Sequence, residues 1–166
     1  IIGGMSADFI NVGTGNDTVI QSSTRDSGSF RFGISTYNNV YTELFDIILG
    51  MGSNDKISLS NYTESSSSTV ANNALLNSIF TSIDASTAAN TGALRDNGVL
   101  TIRGYYNDEQ HNFQGSAVGT DMLVVYDANS SSGTTAFEAI VLVGCGSNTL
   151  SINSGSGLSL IHISEP

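Results

Sequence analysis

Gly3-Gly4-Met5-Ser6-Ala7-Asp8-Phe9-Ile10-Asn11 runs directly into Val12-Gly13-Thr14-Gly15-Asn16-Asp17-Thr18-Val19-Ile20, and the two nonapeptides share one pattern. Asp8 and Asp17 fall nine apart, Ile1, Ile10 and Val19 keep the same interval, and Gly4/Gly13 and Ser6/Gly15 occupy equivalent positions. Self-similarity at a short fixed period marks a stacked repeat. A unit of this length combines a short strand with a tight loop, so successive units stack into two parallel sheets. Side chains alternate along a strand, which turns the apolar residue two places after each Asp inward. Glycine admits positive φ and lets carbonyl oxygens approach a cation closely. The Asp supplies a charged ligand, and loop carbonyls fill other positions in the shell of about six to eight oxygens that Ca2+ takes. A plain Gly-rich turn explains one copy equally well; two copies in register favour a calcium repeat. The next nonapeptide, residues 21–29, keeps only Asp26.

A second cluster follows at Phe45-Asp46-Ile47-Ile48-Leu49-Gly50-Met51-Gly52-Ser53-Asn54-Asp55-Lys56-Ile57-Ser58-Leu59-Ser60. Asp46 and Asp55 are again nine apart, each followed two residues later by isoleucine, with Gly50 and Gly52 between them. The loop carries one residue more before its Asp and reads as a degenerate turn that ends the stack. The candidate metal ligands are therefore Asp8, Gly13, Gly15, Asp17, Asp46, Gly50, Gly52 and Asp55. A salt bridge from Lys56 to Asp46 or Asp55 is the metal-free alternative.

These segments resemble the RTX repeat, G-G-x-G-x-D-x-U-x with U apolar, closely at residues 3–20 and partially at 46–60. Ser6 and Val12 in place of Gly, and the loss of Gly across 21–26, are departures. Asp-Lys-Ile-Ser-Leu-Ser resembles the stretch that closes RTX β-rolls in secreted metalloproteases, S-layer proteins and large adhesins. The resemblance implies calcium-dependent folding, export through a type I secretion apparatus, and an extracellular or cell-surface location, with sister S-layer subunits as possible partners. It also implies that a full site is shared by loops two repeats apart, which pairs Asp8 with the loop at 21–26. Gly-Thr-Asp-x-Leu-Val-Val-Tyr-Asp-Ala and Phe-Glu-Ala-Ile-Val-Leu-Val-Gly, within 119–144, are similar to the region after the repeats in S-layer-like exported proteins.

Further along, alternating apolar positions in 27–44 read as strands. From Val70 the period lengthens: Val70, Ala74, Leu75, Ile79, Phe80 and Ile83 fit one face of a helix, expected at about 70–85 as a cover over an open end or edge of the sheet. Its Asn, Ser and Thr residues are mediocre helix formers, so packing has to hold it. Strand patterns return at Val99–Tyr106, Met122–Tyr126 and Phe137–Val143. The last two form a hairpin around a loop in which Asp127, Asn129 and Ser131 are spaced as oxygen ligands and Glu138 takes the twelfth place; an ordinary Asn/Ser/Gly hairpin explains it without metal. The expected fold is mainly β: a short imperfect parallel β-roll at 1–60, a loop and covering helix at 61–97, and a largely antiparallel β region at 98–160 near the export end. Residues 161–166 resemble a translated sequencing-adapter tail, and the opening Ile1 reads as the start of a fragment.

Composition bounds the function. The 166 residues carry a formal charge of −10, from 15 Asp/Glu against 5 Lys/Arg. With so few cations the carboxylates cannot all be paired internally, so a hard divalent cation, Ca2+, supplies the missing charge; a solvated acidic surface is the plainer reading. A polyanionic duplex would be repelled, which argues against nucleic-acid binding, and no apolar run nears the roughly 20 residues of a membrane-spanning helix. One cysteine, Cys145, rules out an internal disulfide and a Cys/His zinc cluster. No Gly-x-Ser-x-Gly elbow or His-Glu-x-x-His is present. His111 lies in a polar loop, and Asp108/Glu109 would need an opposing acid to cleave a glycoside. The expectation is a non-catalytic, calcium-binding, RTX-like segment of a secreted protein. The alternatives are a calcium-independent carbohydrate- or surface-binding adhesin module, in which Tyr105 and Tyr106 beside Asp108 contact ligand, and the non-catalytic tail of a secreted hydrolase.

Overall fold

The structure is a computed structural model, and it describes residues 1–3, 7–21, 39–42, 45–59, 70–71, 99–127, 137–153 and 160–164. Among the described residues there are twelve strands: β1 (Phe9–Asn11), β2 (Thr18–Gln21), β3 (Asn39–Tyr41), β4 (Asp46–Leu49), β5 (Lys56–Leu59), β6 (Val70–Ala71), β7 (Val99–Asn107), β8 (Asn112–Gly115), β9 (Asp121–Asp127), β10 (Phe137–Val143), β11 (Thr149–Asn153) and β12 (Leu160–Ser164). They form two sheets. The larger runs β1-β4-β10-β9-β7-β8-β3, with β6 also paired to β7; the smaller runs β11-β12-β5-β2.

The nonapeptide spacing becomes architecture in the first 59 residues. The strand after Asp8 enters the larger sheet and the strand after Asp17 enters the smaller one. The second cluster repeats this, with β4 in the larger sheet and β5 in the smaller. β1 lies parallel to β4 with Ile10 opposite Ile48, and β2 lies parallel to β5 with Val19 opposite Ile57. The four apolar residues two places after each Asp thus meet in one core between the sheets, joined by Val12, Leu59, Val124, Tyr126 and Leu142 among others. An incomplete turn precedes them, because Ile2 bridges Ile20 in parallel and Ile1 O accepts from the Ile20 N–H at 2.8 Å.

That bridge spans eighteen residues, two nonapeptides, and so gives the natural pitch of the coil. The next coil is displaced by 38, which is one such pitch with twenty residues inserted. Within the insertion the chain crosses to β3, at the far edge of the larger sheet, where Val40 pairs with Phe113. It then returns to β4, beside β1. Of the strands expected at 27–44, β3 is the described part, and residues 22–38 and 43–44 lie outside the described residues.

The rest of the larger sheet is antiparallel from β10 through β9 and β7 to β8, while β10 joins the roll in parallel through β4. Its central strands are apolar on both faces, as strands covered on both sides are. Val124, Ile140 and Leu142 face the inter-sheet core. Leu123, Val125, Val141 and Ile102 join Phe45, Ile47 and Phe113 in a second cluster on the opposite face.

The covering helix is not found. The described residues contain no helix, and the expected helical start, Val70–Ala71, is strand β6, paired in parallel with Val99–Leu100. The fold is mixed β throughout the described residues. Residues 72–98 lie outside them. A 3.6-residue spacing of apolar side chains was the sole helical signal in a segment rich in Asn, Ser and Thr, and β-branched Val70 next to an available strand edge pairs instead. Leu160–Ser164, which overlaps the stretch 161–166 that resembles an adapter tail, forms β12 between β11 and β5, with Ile161 opposite both Ile152 and Ile57.

Candidate cation site at the stacked aspartates

The stacking brings the four repeat aspartates together as two in-register pairs, Asp8 with Asp46 and Asp17 with Asp55. The loop at 21–26, expected to face Asp8, lies outside the described residues apart from Gln21; among the described residues Asp8 is stacked on Asp46. In each pair the carboxylate of the second coil holds the backbone of the first. The Asp8 N–H donates to Asp46 Oδ1 at 2.8 Å, and the Asp17 N–H donates to Asp55 Oδ1 at 2.7 Å. Asp55 Oδ2 also accepts from the Gly52 N–H at 2.7 Å, closing its own loop. Asp46 and Asp55 are correspondingly buried, at 1% and 2% exposure. Asp8 and Asp17 are partly exposed at the loop surface.

The glycines shape the two loops differently. Gly13 and Gly50 both adopt φ near +76°, a left-handed conformation that a side chain disfavours, but in stacked register Gly50 lies opposite Val12, one place earlier than Gly13. The extra residue lets Met51 turn into the inter-sheet core. Gly15, with φ of +141°, also needs glycine, whereas Gly52 contributes its N–H to Asp55.

Two features bear on whether a divalent cation fits these donors. Asp17 Oδ2 is buried and has no hydrogen-bond partner. A Cβ placed on Gly3 would sit 3.0 Å from Asp46 Oδ2 and 3.4 Å from Asp8 Oδ2, so both carboxylates border a space that glycine alone keeps open. Among the described residues no group of three or more His, Cys, Asp or Glu converges as a ready-made metal centre. A cation here would be held by two carboxylates at most, with amide and carbonyl oxygens of the Gly13–Asp17 and Gly50–Asp55 loops supplying the remainder, a donor set that suits hard Ca2+ rather than a transition metal. Among the described residues Lys56 makes no ion pair with Asp46 or Asp55; its N–H donates to Asp17 O at 2.9 Å, and its side chain lines a polar recess with Asn16, Asp17, Thr18 and Asn54.

Other candidate residues separate. Tyr105 and Tyr106 are adjacent on β7 and face opposite sides of the sheet. The Tyr105 hydroxyl donates to Val118 O at 3.1 Å. Tyr106 packs against the second core cluster and donates to Asp108 Oδ1 at 2.9 Å. Burial first, and then the Asp108 carboxylate, push its phenol up to about 12. Asp127, Asn129 and Ser131 fall in or beside residues 128–136, which lie outside the described residues. Glu138 stands opposite Tyr126 on the neighbouring strand, and its Oε2 accepts a hydrogen bond from the Tyr126 hydroxyl. Cys145 is buried with its thiol against Met51 O; burial, then Asp121, then Asp55 raise it to about 11.

One buried acid escaped the sequence reading. Asp121 Oδ1 accepts from the Gly144 N–H at 2.9 Å and Oδ2 accepts from the Tyr106 N–H at 2.8 Å, tying β7, β9 and the end of β10 together. Nearby, Gly104, Gly119 and Gly146 pack so closely that a Cβ on any of them would collide with neighbouring backbone, and Arg103 Nε donates to Gly119 O at 2.6 Å. The Gly-Thr-Asp string at 119–121 was the visible trace of this junction.

Comparison with protein-family models, curated proteins and solved structures finds no match for the chain.

Proposed function

We propose that the chain is a non-catalytic calcium-binding module whose β-roll is completed by the cation, within a protein exported to the cell surface or medium. The observation that carries this reading is the convergence of the four nine-spaced aspartates into two stacked pairs, Asp8/Asp46 and Asp17/Asp55, on loops opened by Gly3, Gly13, Gly15 and Gly50. Stacking like charges costs free energy, and a net charge of −10 leaves little internal compensation. Where calcium is scarce, repulsion between the loops opposes stacking. Where calcium is near millimolar, binding to the folded form alone neutralises the loops and adds stability. An affinity of about 0.1–1 mM is typical of extracellular modules. The RTX resemblance supports type I export and points to the same ion.

Calcium titration of the Asp17→Asn variant tests the site. Asp17 Oδ2 has no protein partner and its charge is stacked on that of Asp55, so the calcium-free variant should melt no lower than the parent, while its gain in melting temperature with calcium should shrink markedly. An undiminished gain would place the ion elsewhere.

A further inference from the structure

The recess beside Asp17 holds the chain's single lysine, and that placement has a consequence for the ion. Lys56 follows Asp55 directly and stands opposite Thr18 in the β2–β5 ladder. Its N–H is fixed to Asp17 O at 2.9 Å. The side chain is half-buried and lines a recess of about 260 Å3 with Asn16, Asp17, Thr18 and Asn54, where Asp17 Oδ2 lies buried and without a hydrogen-bond partner. No ion pair among the described residues anchors the ammonium, so Lys56 brings an unpaired positive charge to the rim of the recess.

We infer that Lys56 sets the calcium requirement of the Asp17/Asp55 loops, its ammonium in the shared recess competing with the incoming dication. This rests on the calcium reading above and adds a regulator to it. The competition has two sources. The ammonium compensates the Asp17/Asp55 charge in the calcium-free state, which lowers the driving force for binding. It also repels the dication within a distance shorter than the Debye length of about 10 Å at 0.1 M salt. A unit charge about 6–10 Å from a dication across a water-like dielectric of about 80 changes affinity by about three- to tenfold once salt screening is included. The Asp8/Asp46 pair lies on the other sheet, away from this recess, so the two pairs should load at different calcium concentrations, with the Asp17/Asp55 pair the weaker.

The test is a calcium titration of the full chain, read by thermal melting and by isothermal calorimetry, for the parent, Lys56→Gln, Asp17→Asn and the double variant. Lys56→Gln should lower the calcium midpoint about three- to tenfold, an advantage that narrows as salt rises from low to high. In the Asp17→Asn background the same substitution should move the midpoint by less than twofold. Equal midpoints for the parent and Lys56→Gln, or a weaker Lys56→Gln, would overturn the role of Lys56 while leaving calcium binding intact. A parent chain with no calcium response would overturn the calcium reading itself, and this inference with it.

Discussion

Asp55 shows how one side chain can serve two purposes. Its two oxygens take the N–H groups of Asp17 and Gly52 at 2.7 Å each, a state that only a carboxylate can satisfy on both sides. Asn at this position presents an NH2 to one of those donors and leaves a buried N–H unpaired. Asp55→Asn should therefore cost about 2–3 kcal/mol in calcium-free urea unfolding, in contrast to Asp17→Asn, which should cost no stability there. Equal effects of the two substitutions would refute the division of labour between the coils. Cys145 gives a second residue-level expectation. A thiol held near 11 when folded, against about 9 when unfolded, favours the folded state fully below pH 9; that contribution is lost as pH rises from about 9 to 11. Urea midpoints should fall across that window and Cys145→Ala should flatten the decline. Alkylation at pH 8 should be slow in the native chain and rapid in urea.

At the scale of elements, the sequence showed the repeat and its inward residues, because both follow from a side-chain period of two and a loop of fixed length. Ile10, Val19, Ile48 and Ile57 were readable for that reason, and Ile48→Ala or Ile57→Ala should each cost about 2–5 kcal/mol in urea unfolding. Phe9→Ala, at a site 63% exposed on the outer face of β1, should cost under about 1 kcal/mol. Which loops stack on which was not readable. Nothing in residues 21–29 shows that the chain departs for the far edge of the sheet and returns, so local spacing did not show that Asp8 stacks on Asp46. The helix expected from Val70 fails similarly: apolar periodicity in a short segment does not distinguish a helix face from a strand that finds an edge to pair with. Asp121 was hidden because its role depends on N–H groups of Tyr106 and Gly144, 15 and 23 residues away.

Over the whole molecule, the two sheets each combine strands from the repeats with strands from the C-terminal half, so loading the loops should be felt beyond the roll. β4 lies between β1 and β10, and β5 between β2 and β12; stabilising the first two coils therefore stabilises the attachment of both C-terminal strands. The direct measurement is thermal unfolding of the full chain, followed by circular dichroism, in excess chelator and in calcium of about 5 mM. Binding at about ten times the dissociation constant contributes roughly 1.4 kcal/mol per site, which for a chain of this size raises the melting temperature by about 3–6 °C per site. A rise of that order, reversed by chelator and not reproduced by equal magnesium, is the predicted result. Superimposable melts in calcium and chelator would contradict it and leave the paired aspartates as backbone acceptors alone.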